Sequence, residues 1–180
     1  SAESAAGQYP EEAVSMMNRI LTRVEADDGW RAGMLASRPD PENYMADAIA
    51  SAAQQVAGTL NAPAIVAYTH AGPTALRIAR ERPIAHILGL TPSVGTARRL
   101  ALVWGVQSVV TSADRQVRDM ESMVSNAVTA ALTSAVAMPG DSIVITAGVP
   151  FGVSGSTNTL RIATIPDLTR EPLAPAEREG

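Results

Sequence analysis

The stretch that decides the fold is "GDSIVITAGVPFGVSGSTNTLRI", Gly140 to Ile162. Its apolar run at 142–147 has the length of a strand covered on both faces, and a second strand-like run follows at 159–165. The loop between the two runs is too short to hold a crossover helix, so we predict that the last strand lies antiparallel to its predecessor at an edge of the sheet. The loop is rich in glycine and hydroxyl residues, which indicates that a ligand approaches its backbone.

Upstream of this stretch, helical and strand-like patterns alternate along the chain. Apolar residues at helical spacing predict helices at 41–60, 72–82, about 93–104 and about 115–137, and continuous apolar runs predict strands at 64–69, 84–90 and 106–112. This alternation is typical of βαβ crossovers, which build a mostly parallel sheet. We predict an α/β three-layer sandwich over 41–165, with about five strands, an antiparallel edge strand and helices on both faces. The tail at 166–180 is expected to be flexible.

The helical patterns also predict which residues are buried. The Ala-rich face of 41–60 permits close helix packing and suits an oligomer contact equally well, and the Met- and Ala-rich stripe on 115–137 indicates core or a subunit interface. His86, within a strand, is expected to be packed with its ring nitrogens satisfied. The stretch Thr91-Pro92-Ser93 is predicted to cap the next helix. The inward residues predicted for that helix are Val94, Ala97, Ala101 and Trp104.

The first part of the chain has a different organisation. Pro10, followed by two glutamates, begins an apolar pattern at helical spacing over about 10–26. A polar linker is predicted at 28–40. Because this helix has no core of its own, we expect residues 1–27 to be the remnant of a preceding domain.

The composition excludes several classes of function. The chain has no cysteine and no lysine, so disulfides, thiolate chemistry, lysine general bases and Schiff bases are excluded. Only two histidines are present, and the net charge of −4 argues against a nucleic-acid partner. No apolar run has the roughly 18–20 residues of a membrane span, so we expect a cytoplasmic protein without a membrane partner.

Two loops are candidates for a ligand site, because ligands of open α/β sheets bind beyond the carboxyl ends of the strands. The first, Tyr68 to Ala75, offers two threonine hydroxyls and the N-terminus of a helix, the usual basis for holding phosphate. The second is Thr146 to Thr157, which would lie beside the first if its strand is parallel. From the local sequence alone, a simple helix cap is the more frequent role of such a loop.

Three collinear motifs resemble pyruvate kinases. "SAESAAGQYPEEAV", at 1–14, is similar to the strand and Gly-x-Tyr-Pro turn that lead into the last helix of that family's catalytic barrel. "THAGPTALRIARERP", at 69–83, resembles a Thr-x-x-Gly-x-(Ser/Thr)-Ala stretch followed by an Arg-rich helix. The stretch at 140–162 resembles the family's C-terminal signature, which closes on Thr-Asn. The resemblance covers 1–23 and 41–165.

This resemblance implies a parent enzyme that transfers the phosphoryl group of phosphoenolpyruvate to ADP in glycolysis, with Mg²⁺ and usually K⁺. The catalytic lysine and the metal carboxylates belong to the family's barrel, and Ser1 and Glu3 match barrel residues that border the active site. The chain thus resembles the C-terminal regulatory domain of a bacterial-type pyruvate kinase plus one barrel helix. Alone it is expected to be inactive, with no catalytic residue, metal or cofactor of its own.

The resemblance also implies an effector site, since sugar phosphates bind between these two loops in the family. Where forms activated by fructose 1,6-bisphosphate carry Lys and Arg in the first loop, this chain has His70 and Pro73, and 149–151 replace a Trp-Arg pair. A monophosphate sugar or a nucleotide monophosphate is therefore the expected effector. The effector-binding residues implied are Thr69, His70, Ala71, Gly72, Pro73 and Thr74, and in the covering loop Gly148, Val149, Pro150, Phe151, Gly152, Ser154 and Gly155.

Two further hypotheses remain at this point. A pure assembly module with a vestigial effector site is favoured by the few basic residues in the loops. An independent small-molecule enzyme is disfavoured by the missing lysine and cysteine. The expected partners are the chain's own catalytic barrel and further copies, as a dimer here and a tetramer in the parent.

Overall fold

A computed structural model describes residues 2–37, 40, 42–112, 117–151 and 156–167. Within them, the helices are α1 Ala2–Ala6, α2 Pro10–Glu25, α3 Asp28–Ala36, α4 Met45–Leu60, α5 Pro73–Arg80, α6 Val94–Leu100 and α7 Met120–Thr133. The strands are β1 Ala64–Tyr68, β2 His86–Thr91, β3 Val106–Val110, β4 Ser142–Gly148 and β5 Thr157–Thr164. The predicted tail at 166–180 lies almost wholly outside the described residues.

The chain divides into two compact units, residues 1–40 and 41–180. The first unit differs from its prediction in two places. Residues 2–6 form a helix where a strand end was expected, and no described strand pairs with them to stabilise an extended backbone. The predicted linker at 28–40 contains α3, which begins because the Asp27 side chain accepts a hydrogen bond of 2.9 Å from the Trp30 N–H.

The second unit contains a five-stranded sheet in the order β3-β2-β1-β4-β5. The first four strands are parallel, with Ile65 of β1 opposite Val144 of β4. β5 runs antiparallel to β4 at the edge, with Val144 opposite Ile162. The predicted mixed α/β sheet and its antiparallel edge strand are therefore confirmed.

Two apolar layers cover the sheet, and successive residues of each central strand point to opposite layers. Ile65 packs beneath α4 and α5, whereas the next residue, Val66, packs beneath α7. Alanine supplies most of the helix surface in both layers, and its small side chain lets the helices lie close to the strands. The core is therefore filled with few large rings, since aromatic residues make up only 3% of the chain. The Ala-rich face of α4, which suited an oligomer contact equally well, is buried within the domain.

Several predicted burials are wrong. In α6, Ala97 is buried as predicted, but Val94 and Ala101 are exposed, and the other buried residues are Thr96 and Leu100. The helix ends at Leu100 and does not reach Trp104. Trp104 lies in the following turn, where the Arg82 guanidinium lies over its ring, 4.4 Å from the ring centroid. His86 is exposed, because it is the first residue of β2 and lies at the rim of the sheet.

None of the described helices is long and apolar enough to cross a membrane.

Candidate functional site

The two candidate loops meet at one edge of the sheet. β1 and β4 are adjacent and parallel, with Ala67 opposite Thr146, so the segments that follow them leave the sheet side by side. The hydroxyl oxygens of Thr74, at the start of α5, and Thr157, at the start of β5, lie 2.7 Å apart and are buried. The geometry expected of the two loops is therefore present.

The first loop, residues 69–72, is held by its own hydrogen bonds. The Thr69 N–H donates to the Leu90 carbonyl, and the Thr69 hydroxyl accepts from the Gly72 N–H at 2.9 Å. The Thr91 hydroxyl donates to the His70 carbonyl at 3.1 Å. The loop closes at Gly72, whose φ of 108° lies in the left-handed region that favours glycine.

These contacts change the roles expected of the loop residues. Thr69 and Thr74 are buried and their hydroxyls already bind protein groups, so neither hydroxyl is free to point at a ligand in this conformation. His70, Ala71 and Pro73 are exposed. In the first turn of α5, the Leu76 N–H donates to the Gly72 carbonyl and Pro73 has no N–H, so the N–H groups of Thr74 and Ala75 remain without acceptors inside the helix.

The second loop begins close to the backbone that leads into β5. A side chain on Gly148 would place its Cβ 2.9 Å from the Ser156 carbonyl oxygen, so this position requires glycine. Phe151 packs against the α7 layer, whereas Thr74 lies on α5, which covers the other face of the sheet. Val149 and Pro150 are exposed, and the predicted site residues Gly152, Ser154 and Gly155 lie outside the described residues.

One basic residue beside the first loop was missed by sequence reasoning. Arg99, in the last turn of α6, places its Nη2 3.4 Å from the Ala71 carbonyl oxygen and 3.1 Å from the Thr96 hydroxyl. The available signal was the pair Arg98-Arg99 on a helix that follows the neighbouring strand. Arg99 brings a positive charge to the exposed side of the loop.

A buried ion pair fixes the orientation of α5. The Asp47 carboxylate, 3% exposed, accepts hydrogen bonds from Arg77 Nε at 2.8 Å and from Arg80 Nη2. Burial by itself would raise the pKa of Asp47, but the hydrogen bonds from Arg80, Arg77 and the Glu42 N–H hold it below its ordinary value. Arg77 also lies over the Tyr44 ring at 5.3 Å. These contacts join the first turn of α4 to α5, whose N-terminus forms the site.

Tyr68 anchors the end of β1 on the opposite layer. Its hydroxyl donates to the Met123 carbonyl of α7 at 2.7 Å, and burial raises the pKa of this phenol far above its ordinary value. The residue that precedes the first loop is thus fixed to the α7 side of the sheet.

The residues matched to the border of a catalytic site have a local role in the first unit. The Glu3 carboxylate accepts the Tyr9 N–H at 2.8 Å, just before α2 begins, and Ser1 lies outside the described residues. Among the described residues, no group of three or more His, Asp or Glu side chains could hold a metal ion.

Comparison with known proteins gives a consistent picture. The family model described as "Pyruvate kinase, alpha/beta domain" matches residues 47–163. The chain is 46% identical to a pyruvate kinase of Methylorubrum extorquens over 95% of this chain and 34% of that protein. It is 39% identical to a pyruvate kinase of Staphylococcus aureus, over 93% of this chain and 28% of that protein.

The fold is also similar to the crystal structure of a pyruvate kinase from Cryptosporidium parvum, with a TM-score of 0.77 and 28% identity. The match covers 92% of this chain and 32% of that chain. The chain thus spans about a third of the length of the relatives that it matches. From the family match and these identities, the chain belongs to the pyruvate kinase family, of which it contains the C-terminal α/β domain.

Proposed function

We propose that this chain is the regulatory and assembly domain of a bacterial-type pyruvate kinase and binds a phosphorylated effector beside Thr74 and Thr157. The observation that carries the proposal is the contact between these two hydroxyls, which joins both loops at the carboxyl edge of the sheet. The N-terminus of α5 lies at that point. A helix N-terminus favours an anion through its dipole and its free N–H groups.

The charges around the site favour a monophosphate. Arg99 of α6 lies beside the Ala71 carbonyl, and His70 is an exposed basic residue within the loop itself. One permanent cation and a helix dipole can offset the charge of one phosphate group, but a bisphosphate would remain under-neutralised. A sugar monophosphate or a nucleotide monophosphate therefore fits the site better than a sugar bisphosphate.

The parent enzyme would carry out the chemistry elsewhere. We propose that it transfers the phosphoryl group of phosphoenolpyruvate to ADP in the cytoplasm, with Mg²⁺ and K⁺ bound by its catalytic barrel. The present chain has no lysine for such a reaction, and its described residues contain no acidic cluster for a metal. The fragment alone should therefore produce no pyruvate.

Assembly is the second function of this proposal. β5 is an edge strand with an exposed Ile162, 44% accessible, on its surface. An uncovered edge strand pairs readily with another chain. We propose that copies associate through this edge, as a dimer here and within a tetramer in the parent. The Thr69 hydroxyl is already bonded to the Gly72 N–H, and this contact favours the alternative, an assembly module with a vestigial effector site.

Thermal unfolding in the presence of ribose 5-phosphate distinguishes the two functions. A ligand that binds only the native state raises the melting temperature as its concentration increases. We expect such a rise for the native chain, a smaller rise for Arg99→Ala, and an unchanged rise for Arg98→Ala, the exposed neighbour on the same helix. A melting temperature that stays constant to high millimolar concentrations of sugar and nucleotide monophosphates would favour the assembly module.

A further inference from the structure

We infer that Asn158 is the positioning residue of the site, because its carboxamide fixes the start of the second loop through both backbone groups of Val149. The Asn158 Oδ1 accepts from the Val149 N–H at 2.9 Å, and the Nδ2 donates to the Val149 carbonyl at 2.6 Å. The effect of this contact on ligand affinity rests on the proposed function, but the contact itself does not.

A β-bulge places Asn158 in this position. Ala147 of β4 lies opposite Thr159, but the next residue, Gly148, lies opposite Thr157. Asn158 is therefore the extra residue of β5 and has no opposite residue in β4. A bulge redirects the side chain of its extra residue, and here that side chain reaches the residue just beyond the last ladder pair.

The two bonds replace a pair of main-chain hydrogen bonds. In an antiparallel ladder, a hydrogen-bonded residue exchanges one N–H and one carbonyl with its partner. The carboxamide of Asn158 offers the same donor and acceptor, so the strand pairing continues for one residue through a side chain. The Thr159 hydroxyl donates to the same Oδ1 at 3.1 Å. The Val149 N–H, which can only donate, fixes which end of the amide accepts. A carboxylate at this position would keep the acceptor and lose the donor.

Asn158 and its neighbour Thr157 hold the two halves of the site together. Thr157 contacts Thr74 at the start of α5, and Asn158 holds Val149 at the start of the second loop. Two consecutive residues of β5 thus set the distance between the segments that would contact a ligand. Because these contacts order the two segments before a ligand binds, the entropic cost of binding is lower. Loss of the Asn158 contact should therefore weaken phosphate binding by about tenfold.

Amide hydrogen exchange at Val149 tests the contact without any ligand. We expect the Val149 amide to be protected in the native chain and unprotected in Asn158→Leu. In Asn158→Asp the carboxylate keeps the acceptor for this amide but loses the donor to the Val149 carbonyl. The amide should therefore be less protected at pH 7 than in the native chain and more protected than in Asn158→Leu. Its protection should rise below about pH 4, where the protonated carboxyl regains a donor. Asn61→Asp, the same change at an exposed helix end, should leave Val149 protected at both pH values.

The Ile145 amide, in the middle of β4, reports whether each variant stays folded. An unprotected Val149 in the native chain, or equal protection in both Asn158 variants with Ile145 protected, would overturn the inference. Calorimetric titration of native chain and Asn158→Leu with ribose 5-phosphate measures the consequence for binding. If the native chain binds no ligand, the proposed function fails while the exchange result stands. If it binds and Asn158→Leu binds equally, Asn158 has no positioning role.

Discussion

The hydroxyl oxygens of Thr74 and Thr157 lie 2.7 Å apart, although 83 residues separate them in the chain. The contact joins the first turn of α5 to the first residue of β5, and both side chains are buried. It therefore connects the two loops that form the candidate site, and its loss should affect both stability and ligand binding.

Thr157→Val should lower the free energy of unfolding by about 1–3 kcal/mol, because the Thr74 hydroxyl would be left buried without its partner. The double variant Thr74→Val with Thr157→Val should recover part of this loss, since neither hydroxyl then lacks a partner. Urea denaturation measures both, with Thr164→Val, at the exposed end of β5, as the control. Purely additive losses in the double variant would argue against a direct bond.

Two glycine-to-alanine changes should act in opposite directions. Gly72→Ala should destabilise the domain by about 1–2 kcal/mol, because a side chain is strained at a φ of 108°. Gly58→Ala should stabilise it by up to about 1 kcal/mol, because Gly58 lies on the exposed face of α4 and nothing lies within 4 Å of its added Cβ. Equal effects in urea denaturation would contradict the backbone conformation described for Gly72.

Asp47→Asn should lower the free energy of unfolding by about 2–3 kcal/mol at pH 7. The effect should be below the full cost of breaking a buried ion pair, because both arginine side chains are about one-third exposed. Because the native pKa of Asp47 is depressed, its stabilising contribution is present at neutral pH and is lost as the pH falls below about 4.

The difference in stability between native chain and Asp47→Asn should therefore shrink as the pH falls below about 4. Urea denaturation at a series of pH values measures this difference, with Glu121→Gln on the exposed face of α7 as the matched control. A difference that stays constant from pH 7 to pH 3 would show that the ion pair does not contribute as described.

Ile162→Glu should reduce the association of copies, because it places a charge on the edge strand proposed to pair. Light scattering at high protein concentration should give a dimer mass for the native chain and a monomer mass for the variant. Val94→Glu, which changes another exposed apolar residue, on α6, is the control and should remain dimeric. A monomeric native chain at all concentrations would rule out assembly through β5 in the isolated chain.

The sheet could be predicted because its signals are local. The strands are continuous apolar runs, and the loop after β4 is too short for a crossover helix, which requires an antiparallel last strand. α3 was missed because it is short and contains two glycines, and because the capping role of Asp27 depends on the backbone conformation. His86 was placed in the core because an apolar pattern identifies a strand but does not show which residue begins it at the rim of the sheet.

The site was only partly predictable. The position of the two loops follows from the parallel arrangement of β1 and β4, which the alternating pattern indicates. The roles of individual side chains depend on contacts between distant residues. Thr69 and Thr74 were expected to face a phosphate, yet their hydroxyls bind Gly72 and Thr157. Arg99 and Asn158 gain their roles only when α6 and β5 are packed beside the loops.

The most direct test of the central claim is calorimetric titration of the native chain with ribose 5-phosphate, glucose 6-phosphate and AMP. Several charge-assisted hydrogen bonds, each contributing roughly 1.5–3 kcal/mol, should give at least one of these ligands a roughly micromolar dissociation constant after the cost of association. Gly72→Glu, which places a negative charge at the N-terminus of α5, should abolish that binding, whereas the control Gly58→Ala should preserve it. Binding of none of the three ligands below millimolar concentration, in this chain and in the parent enzyme, would contradict the account.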